Sequence, residues 1–219
     1  MNALRPGRQL VVFDLDGTIS RHDTMVPFVF GWWWWRPWRW PRLLGVVPTV
    51  AAFAAGRVDR GALKGALLRY TLGGLRRAVV ERWARHYVDA LIPGGLFTDA
   101  VARVRAHSEA GDYLVLMSAS VDCYVPLIAR ALGFDECICS RVRWRADRLD
   151  GRLTGPNCRG EEKSRQLLAL RERLQPASVI AYGNSSADVP HLRLADRAVY
   201  VNAGAVDVPV PHVDKVQWR

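Results

Sequence analysis

Two aspartates leave the first apolar run of the chain one residue apart, in VVFDLDGT (residues 11–18). Strand side chains alternate, so Asp14 and Asp16 project to the same side while Leu15 projects to the other. Two carboxylates held that close are unfavourable unless a proton or a cation comes between them. A hard divalent cation, Mg2+ above all, resolves the conflict and brings phosphates with it. Gly17 permits a tight turn and Thr18 offers a hydroxyl, although Asp and Gly are also ordinary turn residues. A lysine stands at the start of EEKSRQLLALRERL (residues 161–174), where Lys163, Leu167, Leu170 and Leu174 recur at helical spacing. Lys163 therefore lies on the stripe that faces the core. There it must meet an anion, unless the first turn frays into solvent. Ser118 is the first polar residue after YLVLM (113–117), placed to hold phosphate oxygens with the backbone N–H groups that follow it, or simply to cap a helix. In AYGNSSADVP, Asp188 follows Asn184 by four residues, and both carry oxygens suited to a hard cation, or to a capped turn.

These residues need elements to bring them together. Four apolar runs read as buried parallel strands: LVVF (10–13), YLVLM (113–117), SVIAY (178–182) and AVYV (198–201). Each is followed at once by a polar or glycine-bearing loop, and helical patterns occupy 121–132 and 161–174. Strand, loop and helix in alternation predict an open α/β sheet, whose ligands bind outside the carboxyl ends of the strands. Roughly ninety residues separate the first two strands, far more than a crossover needs, which predicts an inserted unit. Its later part is helical, with Val80, Trp83, Ala84, Tyr87, Val88, Leu91 and Ile92 on one face. DRGALKGALLRYTL (59–72) reads as a further helix capped by Asp59, and LIPGG (91–95) as the break that returns the chain to the core. RWRADRLDGRLTG (143–155) reads as a hairpin turning at Asp150–Gly151.

Half of the 219 residues are hydrophobic, which supports a real core and excludes a disordered chain. The net charge of +10 favours anionic partners, or reflects an Arg-rich composition. The four cysteines form no C-x-x-C pair and have no histidine at ligand spacing, so no zinc site is expected and reduced thiols fit best. The amino-terminal stretch makes a poor signal peptide, because its apolar run is short and ends in acids.

One passage stands apart. GWWWWRPWRWPR (31–42) places six tryptophans, Trp32–Trp35, Trp38 and Trp40, among three arginines and two prolines. Trp and Arg together suit a membrane interface, where the indole sits at headgroup depth and Arg meets lipid phosphate. The uncharged LLGVVPTVAAFAA (43–55) that follows is too short to span a bilayer, which takes about twenty residues. Burial in a helical core, a subunit interface and stacking on nucleic acid are the alternatives, and nucleic acid is not expected because a closed pocket offers no long groove.

Taken in order, DLDGT, the serine after the second strand, the lysine and the Asn184–Asp188 loop resemble the haloacid dehalogenase superfamily of phosphatases. The resemblance covers nearly the whole chain. It implies a Rossmann-like parallel sheet flanked by helices, with residues 1–20 and 95–219 as the core and 21–94 as an inserted helical cap whose Trp/Arg-rich part (31–56) meets the membrane. It implies that Asp14 attacks phosphorus to give an aspartyl-phosphate and that Asp16 acts as general acid and then general base. Thr18, Ser118 and Lys163 would hold the phosphoryl group. Mg2+ would be bound by Asp14, Asp16 through its backbone carbonyl, Asp188 and Asn184. Asn184 departs from the family, which often has an acid there, so one negative charge is missing. Within the superfamily the sequence looks most like the subgroup of phosphoserine phosphatase and phosphatidylglycerophosphatase C, and NCRGEEK and the aromatic cap segment are closer to the lipid enzyme. The resemblance thus implies a lipid headgroup phosphate as substrate, with the protein peripheral on the inner face of the cytoplasmic membrane. A soluble phosphatase for a small ester such as phosphoserine, and a non-catalytic lipid- or partner-binding protein, are the other readings.

Overall fold

The computed structural model describes residues 7–202, 210 and 213–219. Six parallel strands form the main sheet: β1 (Leu10–Phe13), β2 (Tyr113–Val121), β3 (Glu136–Ser140), β6 (Val179–Gly183), β7 (Arg197–Val201) and β8 (Val213–Val216), in the order β3-β2-β1-β6-β7-β8. The chain moves outward from β1 in one direction through β2 and β3, then in the other through β6, β7 and β8. The order therefore reverses beside β1, which is where open sheets bind ligands. The expected Rossmann-like α/β architecture is present. The sequence reading missed β3 and β8, which lie at the two edges of the sheet.

Alternation along β1 and β2 gives the sheet two apolar faces. Val11, Phe13, Leu114 and Leu116 join one cluster, in which Phe13 stacks on Tyr182 at 4.2 Å. Leu10, Val12, Val115 and Met117 face the other side and pack on Leu167, Leu170 and Leu174 of α7 (Glu161–Leu174). Full burial of each leucine contributes about 1.5–3 kcal/mol. That burial fixes the rotation of α7 about its axis and carries Lys163 to the sheet's carboxyl edge.

Between β1 and β2 the chain forms α1 (Met25–Trp34), a 3-10 stretch (Pro37–Val46), α2 (Val47–Ala54), α3 (Arg60–Thr71), α4 (Arg77–Gly95) and α5 (Thr98–Glu109). Asp59 caps α3 as expected, its carboxylate accepting from Ala62 N–H at 2.8 Å. The break predicted at LIPGG falls later, since α4 runs through Pro93 to Gly95. Pro93 lies so near the end that its missing N–H disturbs only the last turn. The return to the core is built on two backbone bonds, from Arg21 N–H to Gly95 O and from Phe97 N–H to Ile19 O, each 2.9 Å. After β2 come α6 (Val125–Ala131), β3 and a hairpin of β4 (Val142–Arg145) and β5 (Arg148–Leu153). The hairpin turns at Ala146–Asp147, both with positive φ, and not at Asp150–Gly151. Gly151 serves a close approach instead: a Cβ there would stand 2.5 Å from the Arg69 backbone on α3. Among the described residues no helix is long and apolar enough to cross a membrane.

Candidate active site

Asp14 begins where β1 ends, its N–H still donating to Tyr182 O at 3.0 Å. The chain then folds back on itself. The amides of Thr18, Ile19 and Ser20 all donate to Leu15 O, and Gly17, at φ +80°, donates to Ser20 O at 2.9 Å. This tight loop aims both carboxylates into one pocket of about 530 Å³. Asp16 is held from three directions. Its Oδ1 accepts from Thr24 N–H (2.7 Å) and the Thr24 hydroxyl (2.6 Å), and its Oδ2 from the Ser120 hydroxyl (2.7 Å). Thr24 is fixed in turn by Tyr124 OH at 2.8 Å, while Tyr87 OH donates to the Thr24 carbonyl at 2.7 Å. Burial raises the Asp16 pKa above the ordinary carboxylate range, with the hydrogen bonds from Thr24 and Ser120 opposing. That direction suits a group that must hold a proton to give away.

Lys163 lies opposite, buried at the start of α7. Its Nζ donates to Asp14 Oδ1 at 2.5 Å and to Asp188 Oδ1 at 2.7 Å. Burial opposes the charge on Lys163, but the two carboxylates outweigh it and hold its pKa above the usual lysine range. Asp188 is likewise opposed by burial, yet Lys163 holds it down at about 2. Asp14 goes the other way: burial first, then the Asp188 charge, push it up to about 7 against the pull of Lys163. Two carboxylates and one ammonium leave an excess negative charge here, and Asp14 is the member left under-neutralised. Behind the cluster, His191 is fully buried with neither ring nitrogen hydrogen-bonded, and burial lowers its pKa to about 3.

Asp188, expected among the metal ligands, accepts hydrogen bonds on both of its oxygens. Its Oδ2 already accepts from Asn184 N–H (3.2 Å), Ser185 N–H (3.0 Å) and the Ser185 hydroxyl (2.7 Å), while Oδ1 is taken by Lys163. Through these four bonds Asp188 orients Lys163 and the loop. The unsatisfied oxygen belongs to Asn184, whose Oδ1 is buried without a hydrogen-bond partner. A buried amide oxygen left bare on a residue that lines the same pocket as Asp14 is a fitting donor for a hard cation. Its position depends on Gly17, because a Cβ at that residue would lie 2.0 Å from Asn184 Nδ2. Among the described residues no three His, Cys, Asp or Glu side chains cluster in a way that could hold a metal ion. A cation here would therefore draw on an amide and backbone oxygens as well as carboxylates.

Asp14, Asp16, Lys163, Asn184 and Asp188 all line the one pocket. Thr18 and Ser118 are fully buried behind its wall: the Thr18 hydroxyl donates to Asp14 Oδ2 at 3.2 Å, and Ser118 Oγ accepts from Ser120 N–H at 3.0 Å. The residues that line the pocket at that point are Ala119 and Ser120. Sequence reasoning missed Thr24 and Ser120, which grip Asp16, and it missed Lys64. The signal for Lys64 was present, because Arg60, Leu63, Lys64 and Leu67 share one face of α3 at spacings of three and four, and all four line the pocket. Lys64 Nζ donates to the Ala119 carbonyl and, at 2.7 Å, to Asn157 Oδ1.

With the geometry fixed, comparison with known proteins decides the family. The sequence model of the haloacid dehalogenase-like hydrolases matches residues 11–193, from the middle of β1 to just beyond α8 (Val189–Leu192). The chain belongs to this family. This hydrolase is 38% identical over 196 residues to protein CicA of Caulobacter vibrioides, a match that spans 87% of this chain and 85% of that one. It is 31% identical over 131 residues to a probable phosphatase of Mycobacterium tuberculosis, covering 58% of this chain and 43% of that one. Among solved structures, a Bordetella pertussis protein of unknown function superposes with a TM-score of 0.73 at 23% identity, over 90% of this chain and 92% of that one. A substrate-bound phosphoserine phosphatase superposes with a TM-score of 0.67 at 14% identity, over 96% and 94% of the two chains. At such identities these two structures speak for the fold.

Proposed function

We propose that this hydrolase cleaves a phosphomonoester through an aspartyl-phosphate on Asp14, with Mg2+, and that its substrate is a lipid headgroup phosphate such as phosphatidylglycerophosphate met at a membrane surface. The observation that carries the chemistry is the floor of the pocket: a carboxylate on Lys163 beside a second carboxylate clamped by Thr24 and Ser120. Asp14 forms a bond to phosphorus as the ester P–O bond breaks. Asp16 gives its proton to the departing alcohol oxygen. It then takes a proton from the water that attacks the aspartyl-phosphate, releasing phosphate and restoring Asp14. Lys163 offsets charge on the Asp14 oxygen and on the transferring group, and Asp188 keeps it there. Asp14, Asn184 Oδ1 and the Asp16 backbone carbonyl would hold Mg2+, which when bound keeps Asp14 ionised and neutralises phosphoryl charge.

Support for a lipid substrate comes from the helical insertion that supplies the pocket's α3 wall. Trp34, Trp35, Trp38, Trp40, Leu44, Val47 and Val50 are all exposed there, an apolar display that a monomer in water does not favour. From Thr24 to Val58 the chain has no acid and four arginines, which complements an anionic surface. The test is hydrolysis of phosphatidylglycerophosphate in mixed micelles against water-soluble monoesters, with Mg2+. The proposal expects the micellar lipid to be the better substrate and Asp14→Asn to reduce turnover by at least about 10³-fold, on the scale at which an acting nucleophile is missed. Equal or better hydrolysis of soluble esters would remove the lipid part, and undiminished turnover by Asp14→Asn would remove the nucleophile.

A further inference from the structure

The floor of the pocket balances much of its own charge, since Lys163 is paired with Asp14 and Asp188. The opposite wall does not. Lys64 and Arg60 from α3 and Arg159 from the loop before α7 line the same pocket, and none of them forms an ion pair with a carboxylate of the described residues. Lys64 and Arg159 are partly buried, whereas Arg60 is exposed. The Lys64 ammonium spends two of its three donors on neutral oxygens, the Ala119 carbonyl and Asn157 Oδ1, and faces the pocket. A cation drawn out of water toward neutral partners alone is costly. Burial lowers its pKa to about 8 despite the more distant charges of Asp16 and Asp23. Its position relative to the chemistry is also defined. Ala119 stands next to Ser120, whose hydroxyl holds Asp16 Oδ2 at 2.7 Å. If Asp16 protonates the leaving oxygen, the side of the pocket that Lys64 occupies is the side of the departing alcohol.

We infer that the substrate bears a second oxyanion on its alcohol portion, a phosphodiester or a carboxylate, and that Lys64, with Arg60 and Arg159, binds it. The inference rests on the phosphatase reading and narrows it: a neutral alcohol would leave this wall uncompensated, whereas an anion completes it. Charge-assisted hydrogen bonds of this kind give selectivities of roughly 10- to 100-fold. Lys64 as no more than a tie between the insertion and the core would predict no such selectivity.

The experiment compares kcat/KM for three soluble esters with Mg2+: glycerol 3-phosphate, 3-phosphoglycerate and the deacylated headgroup glycerophosphoglycerol phosphate. One of the two doubly anionic esters is expected to exceed glycerol 3-phosphate by roughly 10- to 100-fold, and which one does so tells phosphodiester from carboxylate. Lys64→Met should bring that ratio to within about threefold of unity, while Lys64→Arg, which keeps the charge, should retain most of it. In the wild type the ratio should fall as pH rises through about 8, where Lys64 loses its proton. A wild-type ratio near unity would overturn the inference. So would a ratio that survives both Lys64→Met and Arg159→Gln, since a mere tie lowers all three esters together. Failure to hydrolyse any of the three or phosphatidylglycerophosphate in mixed micelles would overturn the phosphatase reading itself and this inference with it, whereas hydrolysis of the soluble esters without preference, or of the micellar lipid alone, overturns only the second-anion site.

Discussion

Asn184 is the residue on which metal affinity should turn. Sequence reasoning named Asn184 as a metal ligand together with Asp14, Asp16 and the acid at 188. In the structure that acid is consumed by Lys163 and the loop amides, and the amide oxygen four residues earlier is the bare one. Spacing could bring both to one loop but could not say which way each pointed. Asn184→Asp adds a negative charge to the pocket that Asp14 lines. Unit charges about 4 Å apart at an effective dielectric near 20 interact by about 4 kcal/mol, so even a third of that tightens Mg2+ by about tenfold. The Mg2+ concentration for half-maximal activity should therefore fall about tenfold in Asn184→Asp and rise in Asn184→Ala. Identical Mg2+ titrations for both variants and the wild type would remove Asn184 from the metal's surroundings. The same residue shows why Gly17 follows the aspartates: a side chain there would occupy the space of the Asn184 amide.

At the level of elements, the tryptophan passage divides by the rotation of a helix. Trp32, Trp33 and Trp34 are consecutive residues of α1 and Trp35 follows its end, so the four point in different directions and cannot share one environment. Trp33 is 8% exposed and joins the interior, whereas Trp34 and Trp35 are 61% and 77% exposed and Trp38, in the 3-10 stretch, is 74%. The arginines do more than face outward. Arg36 lies over Trp32 at 3.4 Å, and Arg39 and Arg42 both donate to the Gly73 carbonyl just past the end of α3, with further bonds to Thr71 and Arg69. They tie the passage to α3, where cations meet the helix's carbonyl end. Two outcomes separate the buried and exposed sets. Trp33→Ser should cost about 3–5 kcal/mol in urea unfolding, the range for emptying a large aromatic site. The triple change Trp34→Ser, Trp35→Ser and Trp38→Ser should leave stability within about 1.5 kcal/mol, about 0.5 per site, and abolish flotation with anionic liposomes. Flotation unchanged by the triple variant would exclude the exposed tryptophans as the membrane contact.

For the molecule as a whole, the central strands were legible because each is a short apolar run that ends abruptly in polar residues, and the α7 stripe was legible because burial repeats at helical spacing. The edges were not. ECICS offers little contrast between its two faces, and VDKV carries two charges in four residues, so neither stands out as a strand without its neighbour. The hairpin turn was misplaced because Asp-Gly reads as a turn from local chemistry, while the tertiary approach of α3 is what requires the glycine. Loops from β1, β2 and β6 and the start of α7 converge beside the sheet's reversal point, and α3 closes over them; the account stands or falls on what Asp14 does there. The most direct measurement is borohydride reduction of enzyme quenched during turnover, followed by peptide mass spectrometry. The account predicts conversion of Asp14 to homoserine, the mark of an aspartyl-phosphate, and no conversion of Asp16 or Asp188. An enzyme that turns over steadily, yet yields an unmodified Asp14 or a reduced residue elsewhere, would contradict it.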